Sequence, residues 1–343
     1  MRKGNNPTKD LAQVPDPAPH VVVIPLYIPE MDGYYKDALK VFETCLESLV
    51  KTKQPTTEIC VVANGCCETV THRLSEYHKK GWIQDLFLLK EGVGKINALL
   101  KALRSLESPF VTLTDADVLF LNDWEKAVYE VFEAFPKAAA VSPTPIFGTQ
   151  ARLTYPIWKD YFFSKKLQFL PVADPEAMTR FVQSIGWPRL DRKYKEVILG
   201  LKSTQGVKAV VGCNHMTVTY KTSVFRTLPK GNSPYLLGGD SEFEYLDKPP
   251  VLCDGYRLAT YQNYSYHMGN AMEPWMQEVF STLKTPADSI DFRGLPKSIM
   301  RPRPFVFFLK QKLLGKIFGR KSFRKWFYRN KGLQKHQMDY FFS

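Results

Sequence analysis

The feature that most constrains this chain is an alternation of short apolar runs and amphipathic segments that fills residues 20–114. His20-Val21-Val22-Val23-Ile24-Pro25 is β-branched and stops at a proline, the pattern of a strand buried on both faces. Between Tyr35 and Leu49 the apolar residues Leu39, Phe42, Leu46 and Leu49 recur at spacings of three and four, which places them on one face of a helix. Glu58 to Ala63 reads as a second strand closing at the turn signal Asn64-Gly65, and Val70 to Lys80 as a second helix. Asp85 to Leu89 predicts a third strand. Gly92-Val93-Gly94 then forms a glycine-rich entry to a helix from Lys95 to Leu103, and Pro109 to Thr114 a fourth strand. This β-α-β-α-β-α-β order with short links predicts an α/β fold, a mostly parallel sheet flanked by helices, with ligands at the carboxyl ends of the strands.

At the end of the fourth strand stand Asp115-Ala116-Asp117. Alternate residues of an extended segment point the same way, so two acids one residue apart can converge on a divalent cation at a strand mouth, and a diphosphate can share that ion. Aspartates also end strands simply as turn formers, so the pair alone leaves both readings open.

The series Ile24-Pro25-Leu26-Tyr27, Ile59-Cys60-Val61-Val62-Ala63-Asn64-Gly65, Gly94-Lys95-Ile96-Asn97-Ala98 and Thr114-Asp115-Ala116-Asp117 resembles the family-two GT-A glycosyltransferases in content, order and spacing. Gly212-Cys213-Asn214 through Phe225 resembles that family's acceptor-side strand, and Leu237-Gly238-Gly239-Asp240-Ser241-Glu242 its E-D motif, with Gly239 in place of the first acid. Tyr266-His267-Met268-Gly269-Asn270 resembles the segment whose histidine closes the metal site. The resemblance covers about residues 20–270 and implies a GT-A nucleotide-diphospho-sugar transferase fold and an inverting transfer of a hexosyl or related group from a nucleotide-diphosphate sugar to a hydroxyl.

A divalent cation, Mn²⁺ or Mg²⁺, would stabilise the departing nucleoside diphosphate. The resemblance makes Asp117 its direct ligand, His267 its nitrogen ligand, and Asp115 a donor contact that reaches the metal through water; an imidazole ligand also accommodates Mn²⁺. A single displacement needs one carboxylate to take the acceptor's proton. Asp240 is the expected base, with Glu242 the alternative base or an acceptor contact. Pro25, Tyr27, Asn64, Lys95, Asn97, Asp115 and Ala116 are the donor-binding set. The family implies a UDP-sugar, yet Ala63 stands where its uracil-contacting acid would be.

Composition narrows the alternatives. The 343 residues are 44% hydrophobic and 13% aromatic, enough for a large core. Six cysteines without repeated C-x-x-C pairs fit a reducing cytoplasm, and Cys66, Cys67, His72 and His78 match no structural zinc spacing. Gly92-Val93-Gly94 lacks the third glycine of a dinucleotide fingerprint. Nowhere do about 18 apolar residues follow one another without charge. A non-catalytic nucleotide-sugar or glycan-binding protein is the main alternative. A sugar nucleotidyltransferase is the third, set back by Pro25-Leu26-Tyr27-Ile28-Pro29 where its phosphate loop would stand.

The expected organisation is a flexible leader over 1–19, a nucleotide-sugar half over 20–118, an acceptor half over 119–270 and an extension over 271–343; residues 145–211 carry no readable motif. Twelve Lys or Arg against Asp339 give residues 301–343 a net +11 of the chain's +13. Phe305, Leu309, Leu313 and Ile317 recur every four residues among Lys310, Lys312, Lys316, Arg320 and Lys321, with Phe323, Trp326 and Phe327 beyond them. This predicts a basic amphipathic helix that binds an anionic membrane surface through 301–329 or docks on the catalytic domain. Basicity confined to the tail argues against a nucleic-acid partner. The expected partners are a nucleotide-diphosphate sugar and a glycan or lipid-linked glycan, at the inner face of a bacterial cell membrane in surface-polysaccharide or glycolipid assembly.

Overall fold

The computed structural model describes residues 16–295 and 300–342, together with 3, 4, 6 and 9; most of the expected leader lies outside the described residues. The alternation is realised as β1 (His20–Leu26), α1 (Ala38–Thr52), β2 (Thr57–Asn64), α2 (Glu68–Lys79), β3 (Asp85–Leu89), α3 (Lys95–Leu103) and β4 (Phe110–Thr114). Its cause is visible in β1. Val22 and Ile24 join Ile59 and Val61 of β2 in the core under α1 and α2, while Val21 and Val23 join Cys60 and Val62 in the core under α3. A run without polar residues thus serves both faces of one strand.

The chain continues through β5 (Val118–Phe120), α4 (Trp124–Ala134), β6 (Ala138–Ser142), α5 (Tyr155–Tyr161), β7 (Leu167–Pro171), α6 (Pro175–Ser184), α7 (Lys193–Glu196), β8 (Val197–Lys202), β9 (Lys208–Val211) and β10 (Thr217–Lys221). It ends with α8 (Lys248–Leu252), β11 (Tyr256–Thr260), β12 (Ser265–His267), α9 (Pro274–Ser281), α10 (Pro304–Gly319), α11 (Lys321–Asn330) and α12 (Lys335–Phe341). Among the described residues ten strands form one sheet in the order β3-β2-β1-β4-β10-β6-β11-β9-β8-β7. β3, β2, β1 and β4 pair in parallel, as do β6 and β11; β10, β9 and β7 run against the other seven. One sheet therefore runs through both expected halves. β12 and β5 form a separate antiparallel ribbon.

The C-terminal extension is helical but is not one helix. α10 ends at Gly319 and α11 begins at Lys321. Phe327, Tyr328 and Leu333 are buried, and the Trp158 ring lies 4.7 Å from Phe327 and 4.9 Å from Phe318. The Lys331 ammonium donates to the carbonyls of Tyr161, Phe162 and Ser164 at 3.1, 2.6 and 2.9 Å. This part of the expected lipid-facing stripe is core, because apolar side chains and a satisfied ammonium bury together against α5 and β7.

At the amino ends of the central strands a buried polar network ties the layers together. His20 of β1 meets Glu125 of α4 at 2.6 Å and Thr112 of β4 at 2.7 Å; Thr57 of β2 donates to Glu125 at 2.6 Å, and Thr112 meets Thr219 of β10 at 2.6 Å. The Gln54 amide donates to the other Glu125 oxygen. Glu125→Ala leaves several buried groups without their acceptor, at about 1–3 kcal/mol each. Urea denaturation should show a loss of at least about 3 kcal/mol, and a loss below about 1 kcal/mol would show the network to be dispensable.

Candidate active site

The parallel strands β1, β2 and β4 open at one edge of the sheet, and Asp115, Ala116 and Asp117 follow β4 there. The β12–β5 ribbon brings His267 to the same place, setting it opposite Val118, with the Met268 amide donating to the Asp117 carbonyl at 2.8 Å. His267 Nε2 then lies 3.3 Å from Asp117 Oδ2, and its Nδ1 lies 2.9 Å from Ser184 Oγ of α6. Asp117 Oδ1 is buried and has no hydrogen-bond partner among the described residues. Burial pushes the Asp117 carboxyl up to about 6, with His267 opposing and Asp115 adding to the rise. A half-buried carboxylate with one unmet oxygen beside an imidazole fits a divalent cation of mixed oxygen and nitrogen preference. No cluster of three or more His, Cys, Asp or Glu side chains is poised to hold a metal among the described residues.

Lys95, the first residue of α3, is held by two acids: its ammonium lies 2.6 Å from Asp115 Oδ1 and 2.9 Å from Glu242 Oε1. Burial works against its charge, but Asp115 and Glu242 outweigh burial and hold the ammonium above its usual value. For Glu242, burial pushes up and Lys95 more than offsets it, so the carboxyl sits below the usual range. The contact needs close approach between the start of α3 and the loop before Glu242. Gly94 allows it: at φ +88° a side chain there would strike the Leu236 backbone, to whose carbonyl the Lys95 amide donates at 3.3 Å.

A cavity of about 470 Å³ opens over these groups, its wall including Lys95, Asp115, Glu242 and His267. Glu242 is on that wall. Asp240 is exposed, at φ +58° on the turn after Gly239, and does not line the cavity. Of the expected donor contacts, Asn64 accepts from the Val93 amide at 2.8 Å. Asn97 is committed to the chain: it donates to the carbonyls of Val93 and Ser233 at 2.9 Å each and accepts from the Ser233 amide at 2.8 Å. Both amides hold loops in place. Pro25 lies within β1 and Ala116 packs on the core. Tyr27, 48% exposed, stands at the end of β1 against Tyr35 and Gly92.

Three cavity residues escaped the sequence reading. Arg257 of β11 forms a buried ion pair with Asp247 and donates to the Cys213 carbonyl at 3.2 Å, and His215 Nδ1 lies 3.3 Å from Asp247 Oδ1. Burial raises the Asp247 carboxyl, with Arg257 and His215 opposing. The one signal was an arginine inside the Tyr256–Thr260 run, every residue of which is buried. Residues 145–211 supply the opposite wall: Phe147 lies 4.6 Å from Tyr194 and 5.9 Å from Trp187, while Phe181 lies 6.1 Å from His267. A larger hollow, about 770 Å³, lies at the other end of β4 and β10, beside Phe110, Lys221 and Arg226, and holds none of the acids described above.

Residues 34–181 match the family described as Glycosyl transferase family 2. No curated protein matches the chain. Among solved structures it is similar to the mannosyltransferase PcManGT from Pyrobaculum calidifontis in complex with GDP-Man and Mn²⁺, at 19% identity and a TM-score of 0.39 over 72% of this chain and 55% of that one. It is also similar to S. aureus TarS, at 12% identity and 0.42 over 76% of this chain and 38% of that one, and to TarS 1–349 in complex with UDP-GlcNAc, at 12% identity and 0.43 over 93% and 69%. The chain thus spans about half the length of PcManGT and less of TarS.

The lowered Glu242 carboxyl contributes stability above the ordinary glutamate range, about 4.3, that is lost as pH falls through its folded value. Lys95→Met removes the cause of that lowering. The variant should be less stable than the parent at pH 7 in urea denaturation, with the gap narrowing at about pH 3.5 as the carboxyls protonate. A gap of equal size at both pH values would contradict the pairing.

Proposed function

We propose, for a chain whose residues 34–181 match glycosyl transferase family 2, that the strand-mouth cavity transfers a hexosyl or related group, with inversion, from a nucleotide-diphosphate sugar to a hydroxyl of a glycan or lipid-linked glycan. The observation that carries the reading is the convergence of Asp115, Asp117, Lys95, Glu242 and His267, drawn from separate parts of the chain, on one edge of the sheet. Tyr27 and the loops braced by Asn64 and Asn97 lie beside the strand ends where a nucleotide would rest, and a UDP-sugar is the first donor to try.

Asp117 and His267 would hold a divalent ion, with Asp115 close by, and that ion would supply charge stabilisation to the departing diphosphate. Lys95 contributes its own positive charge. A diphosphate arriving beside Asp115 competes for the Lys95 ammonium, and as Lys95 turns from Glu242 that carboxylate regains basicity. Glu242 then takes the proton of the acceptor hydroxyl, which the aromatic wall of Phe147, Phe181 and Tyr194 holds in place. Asp240, the base expected from the sequence, borders the same loop but faces solvent, and the assignment to Glu242 follows the cavity wall. The Asp247–Arg257 pair positions His215 on that wall. Six free cysteines accord with a cytoplasmic setting, and the pathway we assign is surface-polysaccharide or glycolipid assembly in a bacterium.

A panel of nucleotide sugars with Mn²⁺, read by release of free nucleotide, tests the activity and separates a transferase from a binding protein. Turnover should vanish with excess EDTA, and undiminished turnover there would exclude the metal. Asp117→Ala should abolish metal-dependent donor binding in calorimetry. Glu242→Gln should lower transfer by about 10²–10⁴-fold with donor binding retained. An inactive Asp240→Asn beside a fully active Glu242→Gln would return the base to Asp240.

A further inference from the structure

α10 is apolar on two opposite faces, and only one of them is covered. Phe307 and Leu314 pack on the cluster of Leu153, Tyr155 and Val251, Phe318 meets Trp158, and the Lys310 ammonium reaches Asp254 Oδ1 at 3.0 Å. These contacts fix the helix on the domain. On the other side Phe305, Phe308, Leu309 and Leu313 are 76, 61, 55 and 57% exposed, a continuous stripe at helical spacing. No residue of α10 is fully buried. Four large apolar side chains held in water on one stripe are costly for a free surface, at about 25 cal/mol per Å² of apolar area.

The rim of the stripe states the chemistry of its occupant. Lys312 and Lys316 share the exposed arc with the stripe, Arg301, Arg303 and Arg320 stand exposed at the two ends of the helix, Lys312 lies 5.3 Å from the Phe308 ring, and Asp339 is the sole acid after residue 300. An occupant must be apolar where it meets leucine and phenylalanine and anionic where it meets lysine and arginine. A nucleic acid answers the charges but offers nothing apolar to Leu309 and Leu313, whereas an anionic bilayer answers both. A second exposed aromatic pair adjoins the tail: Phe163, 94% exposed, and Trp326, 53% exposed, both contact the Phe162 ring. Such rings suit the depth of lipid headgroups.

We infer that the outer face of α10 is the surface by which this protein lies on an anionic membrane, inserting Phe305, Phe308, Leu309 and Leu313 while Lys312 and Lys316 on the same face extend to the lipid headgroups and Arg301, Arg303 and Arg320 meet them at its ends. No helix among the described residues is long and apolar enough to cross a membrane. The inference rests on the helix's two faces and not on the catalytic reading. Removing residues 301–343 would not test it cleanly, because Phe327, Tyr328 and Leu333 belong to the core.

The test is sedimentation of the full chain with vesicles of phosphatidylglycerol and phosphatidylcholine, and with vesicles of phosphatidylcholine alone. The parent should pellet with the anionic vesicles, remain in solution with the neutral ones, and be released as salt rises to about 0.5 M. The combined variant Phe305→Ser, Phe308→Ser, Leu309→Ser, Leu313→Ser should keep the parent's melting temperature and lose at least about tenfold in vesicle partition. Lys312→Glu with Lys316→Glu should lose the preference for anionic lipid. Parent protein that stays in solution with anionic vesicles, or a serine variant that pellets like the parent, would overturn the proposal. Salt-sensitive binding to single-stranded RNA that the serine variant keeps, without vesicle binding, would assign the tail to nucleic acid instead.

Discussion

The strands β1, β2 and β4 are buried on both faces, and most of what is chemical in this protein follows from that. A strand covered by α1 and α2 on one side and α3 on the other can expose polar groups only where it begins and where it ends. At the amino ends the solution is closed: His20, Thr57, Thr112, Thr219 and Glu125 satisfy one another away from water. At the carboxyl ends it is open. Asp117 keeps an oxygen without a hydrogen-bond partner among the described residues, and Lys95 stands between two acids that a phosphate can rival. The same sheet thus has a closed polar end and an open one.

What converts an edge into a site is the geometry of distant segments. His267 is 150 residues from Asp117, and the pairing of β12 with β5 sets them side by side. Gly94 lets the Leu236 loop close on the start of α3, which delivers Glu242 to Lys95. In each case a backbone contact comes first and the side chains meet as its consequence. Both contacts join residues 94–118 to residues 236–268, so neither stretch holds the constellation alone.

The central architecture was legible because a buried parallel strand needs an unbroken apolar run and its helix needs a three-and-four spacing, and residues 20–114 supply both without conflict. The proximity of Asp117 and His267 was expected from the resemblance, and the ribbon that joins them was not legible. The Asp247–Arg257 pair was hidden because nothing local distinguishes Asp247 from any acid near a helix, although an arginine inside the apolar Tyr256–Thr260 run was a signal that a buried partner exists. Asn97 sits within the motif series yet its side chain bonds the backbone of Val93 and Ser233, since such a series marks a shape of chain as readily as a ligand contact. The tail misled in one respect. Its periodicity is real, but Arg320 breaks it into two helices, and burial of Phe327 against Trp158 depends on partners that no local window contains.

The central claim is that the carboxyl edge of β1, β2 and β4 is where a sugar nucleotide is held. A crystal structure of the protein grown with Mn²⁺ and the donor that it turns over tests this most directly. The account predicts an ion between Asp117 and His267, with the diphosphate beside it and within reach of Lys95. A nucleotide found instead in the hollow beside Phe110 and Arg226, or a strand edge left empty at saturating donor, would contradict it.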